Sequence, residues 1–119
     1  MKQDEQKSTV FHRASQNGNP QILNSLLNKF GHENKDKLIV TLMKEDVKEN
    51  TALHYASRNC SDKKLKLLLN AFAGEEYKQT LIEYAMKENI YELTALHYAG
   101  IYGNEKNIKS LLSIFGNNF

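Results

Sequence analysis

The sequence predicts an all-α solenoid: three stacked helix pairs, with a short extra helix in each long connector. Three observations predict it. The segment Thr51-Ala52-Leu53-His54-Tyr55-Ala56 recurs unchanged as Thr94-Ala95-Leu96-His97-Tyr98-Ala99, 43 residues on. An identity of that length at a fixed distance marks an internal repeat, and repeats of this size form stacked arrays. The likeness extends both ways: Met43, Lys44 and Glu45 match Met86, Lys87 and Glu88, while Leu65, Leu68, Leu69 and Phe72 match Ile108, Leu111, Leu112 and Phe115. A weaker copy, Thr9-Val10-Phe11-His12-Arg13-Ala14, opens the chain and is followed by Leu23, Leu26, Leu27 and Phe30.

Each Thr precedes a short apolar-periodic stretch, where its hydroxyl can cap a helix start. The first helices are expected at about 10–17, 52–59 and 95–102. Ala14, Ala56 and Ala99 recur inside them and let neighbouring helices approach closely. Turn signals close them at Asn17-Gly18-Asn19-Pro20, Asn59-Cys60-Ser61 and Gly103-Asn104. Pro20 suits a first helical turn capped by Asn19. Second helices follow at about 20–30, 62–72 and 105–115, with apolar residues at the spacing of one helix face. In the connectors, Leu38, Ile39, Leu42 and Met43 share their spacing with Leu81, Ile82, Ala85 and Met86, which predicts a third helix at about 34–44 and 76–87. Residues 46–50 and 89–93 are too short for a helix and read as extended or hairpin-like turns. The organisation expected is a polar N-terminal arm over 1–7 and a repeat domain over 8–119, in units of about 8–50, 51–93 and 94–119.

With 119 residues, the chain suits one domain. Units of a linear stack touch only their neighbours, so three stand near the lower limit for stability. The net charge of +2, from 16 Lys+Arg against 14 Asp+Glu, gives no electrostatic case for nucleic acid or an anionic membrane. Cys60 is the single cysteine, which excludes an intrachain disulfide and is compatible with a reducing compartment. The start lacks an apolar signal-peptide core, and no apolar run nears the roughly 20 residues of a spanning helix. The expectation is a soluble cytoplasmic protein.

The hexapeptide resembles the ankyrin motif Thr-Pro-Leu-His-x-Ala, which belongs to a repeat of about 33 residues built from a β-turn finger and two antiparallel helices. The resemblance covers residues 8–116 and implies the fold already expected. Three departures stand out. The motif Pro is Ala52, Ala95 or Val10; the Gly closing the first helix is kept at Gly18 and Gly103 but is Cys60 in the middle; and the repeat is about ten residues too long, which the third helix absorbs. The long repeat and the abundance of Lys (14) and Asn (13) also resemble ankyrin proteins of obligate intracellular bacteria. That likeness implies a host-directed effector or scaffold, delivered to a host cytoplasm.

His12, His54 and His97, with Cys60, raise a zinc site. Zinc ligands must converge at about 2.0–2.3 Å from one ion, whereas equivalent residues of stacked units stand about 8–10 Å apart. No metal and no cofactor are therefore expected. The resemblance implies structural roles for Thr9, His12, Thr51, His54, Thr94 and His97: each His bonds the Thr three residues earlier and a backbone carbonyl of an adjacent finger. Ser57 could touch His54 on a helix, but it aligns with Ser15 and Gly100 and no acid orients the imidazole, so no enzyme is expected. Lys63, Lys64 and Lys66 read as a solvated helix face rather than a nucleic-acid stripe, because Asp62, Glu75 and Glu76 flank them. Tyr55 and Tyr98 are expected to pack between units with their hydroxyls exposed.

Repeat stacks bind on the concave face formed by first helices and finger tips. The resemblance places contacts at the residues before the closing Gly, including Arg58, Asn59, Ile101 and Tyr102, and at finger positions, including Lys48, Asn50, Tyr91 and Leu93. The function expected is a non-catalytic protein–protein interaction module whose partner the sequence does not name. It is expected to act as a monomer, with weak self-association as the alternative, and with no nucleic acid and no membrane. The alternative reading is a self-assembling or structural segment of a longer array.

Overall fold

Capping residues set where every main helix begins. The computed structural model describes residues 3–17, 19–59 and 61–116. Thr9 and Thr94 accept the N–H of His12 and His97 at 3.3 Å and start α1 (Val10–Gln16) and α7 (Ala95–Ile101), as Thr51 starts α4 (Ala52–Arg58). Asn19 caps α2 (Pro20–Glu33), with Pro20 in its first turn. Ser61 caps α5 (Asp62–Asn70) and Asn104 caps α8 (Glu105–Ser113). The connectors carry α3 (Lys35–Leu42) and α6 (Lys78–Met86), the latter entered through a 3₁₀ turn, Glu75–Tyr77. Asn34 ends α2 in extended backbone and caps α3 in the same step. The second helix thus runs three residues beyond its expected end.

Helices α1, α4 and α7 have seven residues each, too few to persist alone in water. They persist by stacking as one row, with α2, α5 and α8 stacked as a second row behind it. Ala14, Ala52, Ala56, Ala95 and Ala99 are buried and let the first row close up. Phe11, Leu23, Leu53, Leu65, Leu68 and Leu111 fill the space between the rows, each at most 1% exposed. The extra helices cover the core's flank: Leu38, Ile39 and Leu42 are buried from α3, and the Tyr84 ring of α6 stacks on Phe72 with centroids 4.7 Å apart. Gly31 permits this on α2, since a Cβ there would stand 3.1 Å from Leu38 Cδ2.

Two expectations change. Lys64 does not lie on a solvated face: it is 8% exposed and its ammonium donates to Ser15 C=O at 3.3 Å. Burial pushes its pKa down. The aliphatic stem fills the gap between α5 and the preceding unit, as long cationic side chains can. Nor are the Tyr55 and Tyr98 hydroxyls exposed, because each bonds the head of its own finger, as described next.

Candidate binding surface

One side chain ties each finger. Asp46 Oδ1 accepts the N–H groups of Lys48 and Asn50 at 3.0 and 2.9 Å. Asn89 Oδ1 accepts those of Tyr91 and Leu93 at 2.9 and 3.1 Å. Such side-chain-to-backbone bonds fold a turn locally. Asp4 does the same, accepting from Gln6 and Ser8 at 2.9 and 3.0 Å. Residues 4–7, expected to belong to an arm ahead of the repeats, therefore form with Ser8 a turn of the same construction. Asp4, Asp46 and Asn89 each stand five residues before a capping Thr, a spacing that reveals the turn in the sequence. Nine residues after each head lies its side-chain partner. Arg13 pairs with Asp4 at 2.8 Å, Tyr55 OH donates to Asp46, and Tyr98 OH accepts from Asn89 Nδ2 at 2.8 Å. The Arg13 bond holds the Asp4 carboxyl below its usual range, while burial and the Asp46 bond push Tyr55 up to about 12.

Adjacent fingers are joined by backbone. Val47 N–H donates to Gln6 C=O at 2.9 Å and Ile90 N–H to Lys48 C=O at 3.0 Å. The imidazoles add a second tie. His12 Nδ1 accepts Thr9 N–H at 2.9 Å, and Nε2 donates to Asn50 C=O at 2.8 Å. His54 Nδ1 accepts Thr51 N–H at 3.0 Å, and Nε2 donates to Leu93 C=O at 3.0 Å. A neutral ring that accepts at Nδ1 carries its proton on Nε2. Burial pushes both pKa values down, against the opposing pull of the carbonyl bond. His97 repeats the Thr94 bond at 2.9 Å. It is exposed, and its Nε2 has no acceptor among the described residues. The three rings thus face separate places rather than one centre, and among the described residues no group of three His, Cys, Asp or Glu could hold a metal. Ser57 Oγ is buried and makes no bond to His54.

The fingers and first helices of the first two units border a groove of about 280 Å³, which brings Lys48 and Arg58 together with Gln6, Arg13, Val47 and Tyr55. At the tip of the third finger, the turn tied by Asn89, Tyr91 is 59% exposed, and Ile101 and Tyr102, 62% and 49% exposed, stand at the end of α7. The Tyr102 ring stacks on Tyr98 with centroids 6.5 Å apart. Three expected contact residues are otherwise engaged. Asn50 is buried, its amide taken by Tyr55 OH and Asn89. The Asn59 amide donates to Gln16 C=O at 2.5 Å. Leu93 is half-buried and gives its carbonyl to His54.

The family model described as ankyrin repeats (3 copies) matches residues 11–118. The chain belongs to the ankyrin repeat family. Fifteen chains of solved structures match. One is the ankyrin repeat domain of Bcl-3, from a crystal structure describing it as a unique member of the IκB protein family. It aligns with TM-score 0.53 and 21% identity, over 96% of this chain and 59% of that one. This ankyrin chain therefore spans about three-fifths of the Bcl-3 domain's length. A search of curated proteins finds no match. Of the ankyrin departures, the missing motif Pro leaves helix starts capped by Thr, and Gly103 closes α7 with φ +65°. Gly18 and Cys60 lie outside the described residues. Among the described residues no helix is long and apolar enough to cross a membrane.

Proposed function

We propose that this ankyrin stack is a non-catalytic module that holds a partner protein against its fingers and first helices. The exposure of Tyr91 on the third finger and of Ile101 and Tyr102 at the end of α7 carries the reading. Aromatic and large aliphatic side chains left in water are the anchors that interfaces use. The groove beside them adds Lys48 and Arg58, cations that suit an acidic stretch of the partner. The resemblance in composition to proteins of obligate intracellular bacteria extends the reading to a host-directed effector or scaffold. That role would place it in the cytoplasm of the source cell or of a host.

The test is affinity capture from the native cell or its host, comparing the wild-type chain with Tyr91→Ala/Tyr102→Ala. The double variant should lose the captured protein while its circular dichroism and melting stay unchanged. Capture at wild-type yield by a folded double variant would overturn the reading. A second reading, a structural segment that assembles end to end, is favoured by His97 Nε2, which has no acceptor among the described residues.

A further inference from the structure

The two ends of the stack carry the two halves of the contact that joins its units. We propose that the chain associates head to tail, with the α7–α8 end of one copy receiving the α1–α2 end of the next. The inference is independent of the concave-face reading.

Within the chain, one unit engages the next through backbone and imidazole bonds. His12 and His54 donate to the finger carbonyls of Asn50 and Leu93, and Val47 and Ile90 N–H groups donate to Gln6 and Lys48 carbonyls. A third bond, Asn59 Nδ2 to Gln16 C=O, joins α4 to the end of α1. The α7 end presents the same row again: His97 Nε2, Tyr91 C=O and Ile101 C=O. At the α1 end the complementary positions are Ser8 C=O, Glu5 N–H and the Asn17 amide, each in the place that Asn50, Val47 and Asn59 hold one unit later; Glu5 and Asn17 are exposed, and Ser8 is 6% exposed. Ser8 C=O is already set for this, since it accepts Asp4 N–H at 3.1 Å as Asn50 C=O accepts Asp46 N–H at 3.0 Å. Asn50 C=O takes His12 on its second lone pair, and Ser8 C=O has the same capacity.

The apolar surfaces match as well. Leu53 and Leu65 are fully buried beneath the following unit, and their counterparts Leu96 and Ile108 are only half-buried. Ala52 and Lys64 are buried against the preceding unit, at 1% and 8% exposure. Their counterparts at the free α1 end are Val10 and Ile22, 37% and 51% exposed. A hydrophobic residue thus stands on that end where the interior uses a lysine. A second copy is the occupant because this chain's own other end carries every group the open end lacks. Such a contact joins unlike surfaces, so it does not close on itself and propagates as an open stack.

Sedimentation velocity from micromolar to millimolar concentration tests this. The wild-type mass should rise steadily through dimer and trimer. Ile22→Asp blocks the α1 end, and His97→Glu replaces the donor of the α7 end with a carboxylate facing the incoming carbonyl. Ile22 is exposed, and a glutamate at position 97 can accept the Thr94 N–H in place of the imidazole, so helicity and melting should hold. Val10→Asp serves in place of Ile22→Asp should that variant unfold. Each variant alone should be monomeric, because every contact needs one intact end of each kind. Mixed in equal amounts, the two should form a one-to-one dimer and nothing larger. Three results would each overturn the proposal: wild type monomeric at millimolar concentration, either folded variant associating as wild type does, or a mixture that stays monomeric.

Discussion

Glu49 sits in the second finger with φ +62°, and Lys7 and Glu92 hold the same place in the first and third at +59° and +61°. The left-handed region costs an L-residue about 1–2 kcal/mol, whereas glycine enters it freely. The Glu49 side chain is exposed and forms no ion pair or hydrogen bond among the described residues. Its N–H bonds Asp46 C=O at 2.9 Å, which glycine keeps. Glu49→Gly therefore relieves strain and breaks no contact. The freer unfolded chain offsets several tenths of a kcal/mol of the gain, leaving a net stabilisation of roughly 0.5–1 kcal/mol. For a domain of this size that is a rise in melting temperature of about 2–5 °C. Glu49→Ala is the control: it removes the charge and keeps the Cβ, so its melting temperature should stay near wild type. Thermal melts and urea titrations of the three proteins decide the matter. A glycine variant less stable than wild type, or an alanine variant that gains as much, would refute the reasoning.

Leu68 is fully buried between the rows, so Leu68→Ala should cost about 2–5 kcal/mol by loss of transfer energy and by cavity formation; a urea midpoint that does not move would contradict the packing described. Burial lowers the pKa of His12 and His54 in the folded chain, while the unfolded chain keeps about 6.5. As pH falls, the unfolded state takes up these protons first. Stability should be full above about pH 6.5 and decline through the folded values, by at most about 1.4 kcal/mol per pH unit for each histidine. Urea midpoints unchanged between about pH 7 and about pH 5 would show that the two rings are not held neutral by the fold.

The helix pattern was legible because motif and apolar periodicity carry it. Thr caps fixed the starts of α1, α4 and α7, and the Leu and Phe spacing placed α2, α5 and α8. The ends were less legible. Nothing between Phe30 and Glu33 stops α2, and only the shared cap at Asn34 does. Composition reads residues 1–7 as a polar arm, yet one carboxylate at Asp4 is enough to fold a finger there. A lysine on an amphipathic helix reads as solvated, and the pattern carries no sign that Lys64 finds the Ser15 carbonyl across the stack. The bonds that engage the Tyr55 and Tyr98 hydroxyls and the Asn50 and Asn59 amides escape a sequence reading for the same reason. Their partners come from another finger head or another helix, and a single unit's sequence does not display them. Tyr91, Ile101 and Tyr102 were legible because large apolar residues stood where the other units carry polar ones.

The whole account depends on equivalent units being fastened by an imidazole that reads its own Thr with one nitrogen and the next finger with the other. Two-bond nitrogen–proton correlation spectra of the histidine rings at neutral pH measure this directly. His12 and His54 should each appear as the neutral ring protonated at Nε2, with that proton in slow exchange and coupled to the Asn50 and Leu93 carbonyls. Rings protonated at Nδ1, or Nε2 protons exchanging freely with water, would contradict it.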